Sequence, residues 1–345
     1  MENREIKKVA IVLSGGMSRG AAELAFVKHI VEKIGYERLV CLSGSSIGAI
    51  NCYSLSVKNY DRMIDVYNNL DVSTIRQFTR KIKNDLFIDV FNIVEGKELY
   101  VPTYVTGTKM IGLDCYYFCL NNMTREDMKM AINVSTSFPG INGPQKFLHH
   151  LWVDGGTTDN VPVLPVTHFD PDMVIILHCY PKYYPPIDLY NKLREDAVVV
   201  DIDVTLELPP SIQTFSLTKT DFQQMTLIAG QEGKKFVDEV FQDFDIKNVK
   251  ERCYKYTMDR LEKRRLKGGG LMGTRNSTPF SSVAVITVLF SLQKKLYSSF
   301  ANLSSVRINA NSKDALWIKH KSLRLFVSDS THFLFSLSHF LFPSP

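Results

Sequence analysis

Leu39-Val-Cys-Leu-Ser-Gly-Ser-Ser46-Ile-Gly48 is the stretch on which the fold turns. Residues 39–42 are apolar and strand-like, and apolar residues return at helical spacing from Ile47 to about Val57. Between them stands Gly44-Ser45-Ser46-Ile47-Gly48, a G-x-S-x-G turn. Glycines two residues either side of a serine relieve crowding, so a strained strand-to-helix turn can hold Ser46 Oγ exposed. The following helix directs its positive amino-terminal end at the same point. The same five residues also fit an ordinary glycine-rich turn, so the surroundings must decide.

Upstream lies a second unit of the same kind. Val9–Leu13 is a continuous apolar, β-branched run, the mark of a strand buried on both faces of a parallel sheet. It leads into Ser14-Gly15-Gly16-Met17-Ser18-Arg19-Gly20, and residues 21–34 read as a helix. Strand, glycine-rich turn and helix, twice within 57 residues, open a doubly wound α/β sheet. The first turn lacks the Lys-Ser/Thr of a P-loop, and Met17 spoils G-x-G-x-x-G, so nucleotide readings are poor. It does offer consecutive backbone N–H groups beside a helix start, an anion nest. Next to an activated serine such a nest is an oxyanion hole. Met17 carries a Cβ and is therefore expected at negative φ.

A third element is Val153-Asp154-Gly155-Gly156, followed by Asp159-Asn160-Val161-Pro162. An aspartate at the end of a short strand (151–153), with glycines behind it, can approach another loop closely. Asp-Gly is equally a common turn signal.

The rest of the chain fits around these turns. Residues 61–91 have a mostly helical pattern, and 101–106 and 115–120 read as extended. A short helix is expected over 124–133 with a Thr124-x-x-Asp127 cap, and a loop over 135–144. Met173–Leu177 reads as a buried strand, residues 198–208 alternate, and 221–241 form an amphipathic helix. Residues 247–267 hold nine Lys/Arg and three Asp/Glu and read as a basic helix, lying on a membrane surface or, more commonly, facing solvent. From Gly268 onward there are fifteen serines in 78 residues and no sustained period. This irregular basic tail reads as disordered or as a read-through product.

At 45% hydrophobic and 22% charged, the 345 residues have ordinary globular composition. The net charge of +5 sits in the tail: the first 267 residues hold 33 basic and 34 acidic groups, with no basic footprint for nucleic acid. Six cysteines without a CxxC pair suggest reduced thiols rather than a zinc site. The amino terminus shows no signal-peptide core, and the apolar stretches 279–292 and 333–342 fall short of the roughly 20 residues that span a bilayer. A soluble, cytoplasmic protein is the expectation.

In this order the three turns resemble the patatin-like phospholipase family. There, G-G-G-x-R/K-G supplies the oxyanion hole, G-x-S-x-G the nucleophile and D-G-G/A the catalytic aspartate. Two softer matches are Ser135-Thr-Ser-Phe-Pro139 and Asp159-Asn160-Val-Pro162, and residues 211–233 look like the family's closing helix. The resemblance covers about residues 6–243, leaving 244–267 as a basic helical extension and 268–345 as the tail. It implies a three-layer α/β/α sandwich with a mostly parallel central sheet. It also implies a Ser46–Asp154 dyad, with Gly15, Gly16, Met17, Ser18, Arg19 and Gly20 forming the oxyanion loop. Gly44, Ser45, Ile47 and Gly48 would form the elbow, and Gly155 and Gly156 would follow the aspartate. No metal or cofactor is implied. The implied substrate is an acyl lipid, commonly a glycerophospholipid, met at peripheral membrane contact. Met17 departs from the family's glycine. Two rival readings stay open: a Ser-His-Asp hydrolase with His178 as base, and an inactive lipid- or anion-binding module.

Overall fold

The computed structural model describes residues 4–72, 98–139, 143–180, 192–194 and 196–268. Its centre is an eight-stranded sheet. Four parallel pairs, β3 (Thr103–Lys109) with β2 (Leu39–Gly44), β2 with β1 (Val9–Leu13), β1 with β7 (Met173–His178) and β7 with β8 (Val198–Asp203), make it mostly parallel. β4 (Cys115–Cys119), β5 (Gln145–Phe147) and β6 (His150–Asp154) join antiparallel at one side. All five residues of β1 are buried, because the strand is covered on both faces, and this is why it reads as an unbroken apolar run.

β3 organises one end of the sheet. One of its edges pairs with β4 from Tyr104 to Thr108. The opposite edge takes β2 in its first half, ending at Gly44 opposite Val105, and β6 in its second half, ending at Asp154 opposite Gly107. β2 and β6 therefore run toward each other and stop two β3 residues apart. The chain just past Gly44 and the carboxyl end of β6 meet head to head, and this places Ser46 against Asp154.

Among the described residues, six α-helices send their buried side chains to one face: α1 (Gly20–Ile34), α2 (Ile47–Ser56), α3 (Tyr60–Asn69), α4 (Arg125–Ser135), α5 (Lys219–Val240) and α6 (Ile246–Gly268). Phe26 of α1, Tyr67 of α3 and Phe222 and Phe236 of α5 fill this core with Ile11 and Leu13. The opposite face is smaller: Ala10, Val12, Val174 and Ile176 pack against Val161, Val163 and Val166. Among the described residues, the cover of this face is the 3-10 helix Leu164–Phe169 and its flanks. Thr124 caps α4 by accepting from Asp127 N–H, and Thr218 and Asp221 form a full capping box on α5.

Two expectations shift. β5 lies next to the segment expected to loop, and the helical pattern of 61–91 yields α3, with 73–97 outside the described residues. The tail from 269 onward also lies outside them. Among the described residues no helix is long and apolar enough to cross a membrane.

Candidate active site

Ser46 sits between β2 and α2 with φ 54° and ψ −124°, a strained conformation for a residue with a Cβ. The flanking glycines are there for lack of room. A Cβ on Gly44 would meet the Gly48 carbonyl oxygen at 2.4 Å, and one on Gly48 would meet the Leu13 carbonyl at 2.5 Å. Ser46 N–H donates to Ser135 Oγ at 3.0 Å, so the carboxyl end of α4 steadies the turn.

The Ser46 hydroxyl donates to Asp154 Oδ2 at 2.7 Å. The other carboxylate oxygen, Oδ1, accepts the Gly156 N–H at 2.8 Å. Asp154 N–H is in turn held by the Ser137 carbonyl at 2.9 Å. The two serines at the end of α4 thus position both members of the pair. Burial pushes the Asp154 acid up to about 7, although both hydrogen bonds favour its charged form. It is a carboxylate poised to exchange a proton near neutral pH.

The 15–20 loop borders the same point. Gly15 N–H donates to the Asn160 carbonyl (3.2 Å), and Asn160 Nδ2 donates back to the Gly15 carbonyl (3.1 Å). Arg19 N–H is taken by the Gly16 carbonyl and Gly20 N–H by the Met17 and Ser18 carbonyls. Of the six loop residues, Gly15, Arg19 and Gly20 therefore spend their amides within the fold. The Arg19 side chain ties the loop to the Cys179 and Ile212 carbonyls at 3.2 and 3.4 Å.

Met17 corrects an expectation. Its φ is +54°, not negative, so the Cβ sits in the left-handed region that favours glycine. Left-handed backbone costs an L-residue about 1–2 kcal/mol, and glycine gives back about 0.4–1 kcal/mol in unfolded-chain entropy. Met17→Gly should therefore raise Tm slightly and leave kcat on a soluble ester unchanged or higher. A large fall in kcat would mean that the Met17 side chain itself shapes the site. Gly16 has no such latitude, because an added Cβ would meet Cys179 Cβ at 2.4 Å.

His178 lies elsewhere in the network. It ends β7, and its Nε2 is 2.9 Å from Asp201 Oδ1 on β8. Ser46 finds a carboxylate as its acceptor, not an imidazole.

Comparison with known proteins agrees with the motifs. A family model described as patatin-like phospholipase matches residues 11–108, which hold the 15–20 loop and the elbow. An uncharacterized NTE family protein of Mycobacterium bovis is 25% identical over 180 residues, 49% of this chain and 48% of that protein. The neuropathy target esterase sws of Drosophila virilis is 25% identical over 167 residues, 45% of this chain and 11% of that protein. The chain thus spans about half the length of the mycobacterial relative and a small part of the insect one. Among solved structures, VipD from Legionella pneumophila superposes with a TM-score of 0.37 at 12% identity, covering 66% of this chain and 67% of that one. The family model thus shows the likeness to the patatin-like phospholipases over residues 11–108, which contain two of the three turns set out above.

Proposed function

We propose that the protein is a lipid acyl hydrolase of phospholipase A type that cleaves carboxylic esters of glycerophospholipids or related acyl lipids. The observation that carries this reading is the 2.7 Å hydrogen bond from Ser46 Oγ to the buried Asp154 carboxylate. Ser46 Oγ attacks the ester carbonyl as Asp154 accepts its proton. The Gly16 and Met17 amides face the negative charge that develops on the carbonyl oxygen. Collapse breaks the ester C–O bond, and the leaving alcohol takes the proton from Asp154. Asp154 then takes a proton from water as it attacks the acyl-serine, and collapse breaks the Ser46 Oγ–acyl bond, releasing the fatty acid while Ser46 Oγ takes the proton back from Asp154. The network supports a dyad rather than a Ser-His-Asp triad, because His178 faces Asp201.

The test is fatty-acid release by the full-length protein from phosphatidylcholine vesicles, beside cleavage of a soluble p-nitrophenyl ester. Release from both is expected, and no cleavage of either would leave the binding-module reading standing.

Two neighbouring turns support a reading of peripheral membrane contact. The β3–β4 and β5–β6 turns lie beyond the end of β2, and Met110 N–H in the first donates to the carbonyl of Leu151, near the start of β6, at 2.8 Å. Exposed Ile111 (83%), Leu148 (52%) and Leu151 (42%) stand there, with Lys109 and Lys146 alongside. Apolar side chains at turn tips flanked by lysines suit a phospholipid surface. Paired Ile111→Asp and Leu148→Asp changes should abolish vesicle flotation while sparing soluble-ester turnover, and undiminished flotation would place membrane contact elsewhere.

A further inference from the structure

We propose that Asn160 is a positioning residue that holds the Gly15–Gly16 peptide in the orientation that turns the Gly16 N–H toward the developing oxyanion. Its role in catalysis rests on the hydrolase reading above. Asn160 lies beyond β6, between the 3-10 helices Gly155–Thr157 and Leu164–Phe169. It grips Gly15 twice. Its side-chain Nδ2 donates to the Gly15 carbonyl at 3.1 Å, and its own carbonyl accepts the Gly15 N–H at 3.2 Å. The main-chain bond anchors Gly15 itself, and the Nδ2 bond sets the peptide unit that follows.

The physical link is the peptide plane. The Gly15 carbonyl and the Gly16 N–H are opposite poles of one planar trans unit, so fixing the carbonyl fixes the direction of the N–H. This unit needs a fixture. It lies between two glycines, which carry no Cβ to resist its rotation about the flanking bonds. Released, it is free to present its carbonyl oxygen to the site in place of a donor. A developing negative charge would then meet a negative pole, and the gain from a preorganised donor would be lost.

Packing keeps the Asn160 side chain in this place. A Cβ on Gly15 would meet Asn160 Oδ1 at 2.3 Å and Ser46 Cβ at 2.9 Å. One on Gly156 would meet Asn160 Oδ1 at 2.6 Å and Asp154 Oδ1 at 3.1 Å. The amide is therefore wedged between the glycine that abuts Ser46 and the glycine whose N–H holds Asp154. The backbone around Asn160 is pinned as well. Asp159 Oδ2 accepts the Tyr117 hydroxyl of β4 at 2.6 Å, and Oδ1 accepts the Val161 N–H at 3.2 Å, closing a tight turn over Asn160. Thr108 of β3 holds the start of the same loop by donating to the Asp154 carbonyl at 2.9 Å. One side chain thus ties the oxyanion loop to the loop that carries Asp154.

The experiment compares full-length wild type, Asn160→Ala and Asn160→Leu on a soluble p-nitrophenyl ester, with Tm, and adds a trifluoromethyl ketone bearing the same acyl chain. Leucine keeps the branched shape of asparagine and removes the donor. Ser46 Oγ adds to the ketone carbonyl, its proton passes to Asp154, and the carbonyl oxygen is left as an oxyanion. The ketone therefore reads the hole directly. Expected in both variants is a kcat lower by about 10²-fold, the scale of one lost oxyanion donor, with KM unchanged. The inhibition constant of the ketone should rise by the same factor, because a donor lost to the transition state is lost to its analogue. The pH at which kcat is half-maximal should stay that of wild type, because Asp154 keeps both of its hydrogen bonds.

A wild-type kcat in either variant overturns the proposal. So does a lowered kcat with undiminished ketone affinity, which would place the effect of Asn160 outside the hole. A collapse of Tm in both variants overturns it too, since the residue would then support the whole fold. If only Asn160→Ala fails to fold, Asn160→Leu decides. Failure of the hydrolase reading looks different: a wild type that neither cleaves the ester nor binds the ketone overturns that reading and this proposal with it. An active wild type beside unaffected variants overturns the Asn160 proposal alone.

Discussion

Ser46→Ala should lower kcat on every ester substrate by at least about 10⁴-fold, the scale of losing a nucleophile that acts as one unit with its base. Tm should stay close to wild type, because alanine carries the same Cβ through the turn at φ 54° and removes only Oγ. The neighbouring Ser45 is a strict control. It is also buried, but its hydroxyl finds no partner, so Ser45→Ala should leave turnover nearly intact. The contrast between adjacent serines follows from the elbow presenting one side chain to the site. Equal losses in both variants would argue for a general collapse of the turn.

Asp154→Asn should cost kcat on a similar scale, about 10⁴-fold. Asparagine keeps the shape but cannot accept the Ser46 proton as a base. In wild type, burial sets the acid at about 7, so kcat should rise from pH 5 to 8 as the carboxylate forms. Stability should move the other way. The folded pKa is raised above the ordinary 3.8, so the stability this group contributes at low pH is lost as pH climbs from about 4 to 7. Asp154→Asn lacks that loss and should melt above wild type at pH 8 but not at pH 4. A protein made more stable and nearly inactive by one isosteric change is the signature of a group strained for chemistry. His178→Ala, by contrast, should keep most of its activity.

Much of this site is legible in the sequence because its parts are local. Val9–Leu13 announces a strand buried on both faces, and Gly44 and Gly48 announce a turn too tight for side chains. Asp154 followed by two glycines announces a carboxylate brought close to something else, although not to what. The partner is settled by β2 and β6 sharing one edge of β3 end to end, a non-local pairing that no short pattern encodes. β5 is three residues, Gln-Lys-Phe, with no period to read, and it exists because β6 offers it an edge. The sign of φ at Met17 is set by where the loop must go between β1 and α1, against the residue's own preference. Ser135 and Ser137 are visible only as a loose motif, and their roles follow from α4 ending beside the elbow.

The most direct test of the account is covalent labelling of the full-length protein with an active-site-directed alkyl fluorophosphonate, read by peptide mass spectrometry. Serine attack on phosphorus expels fluoride and leaves one phosphonyl group on the nucleophile. One adduct is expected in wild type, on the peptide that contains Ser46. It should be absent in Ser46→Ala, strongly slowed in Asp154→Asn and at wild-type rate in His178→Ala. An adduct on another residue, or labelling lost in His178→Ala and kept in Asp154→Asn, would contradict the Ser46–Asp154 dyad.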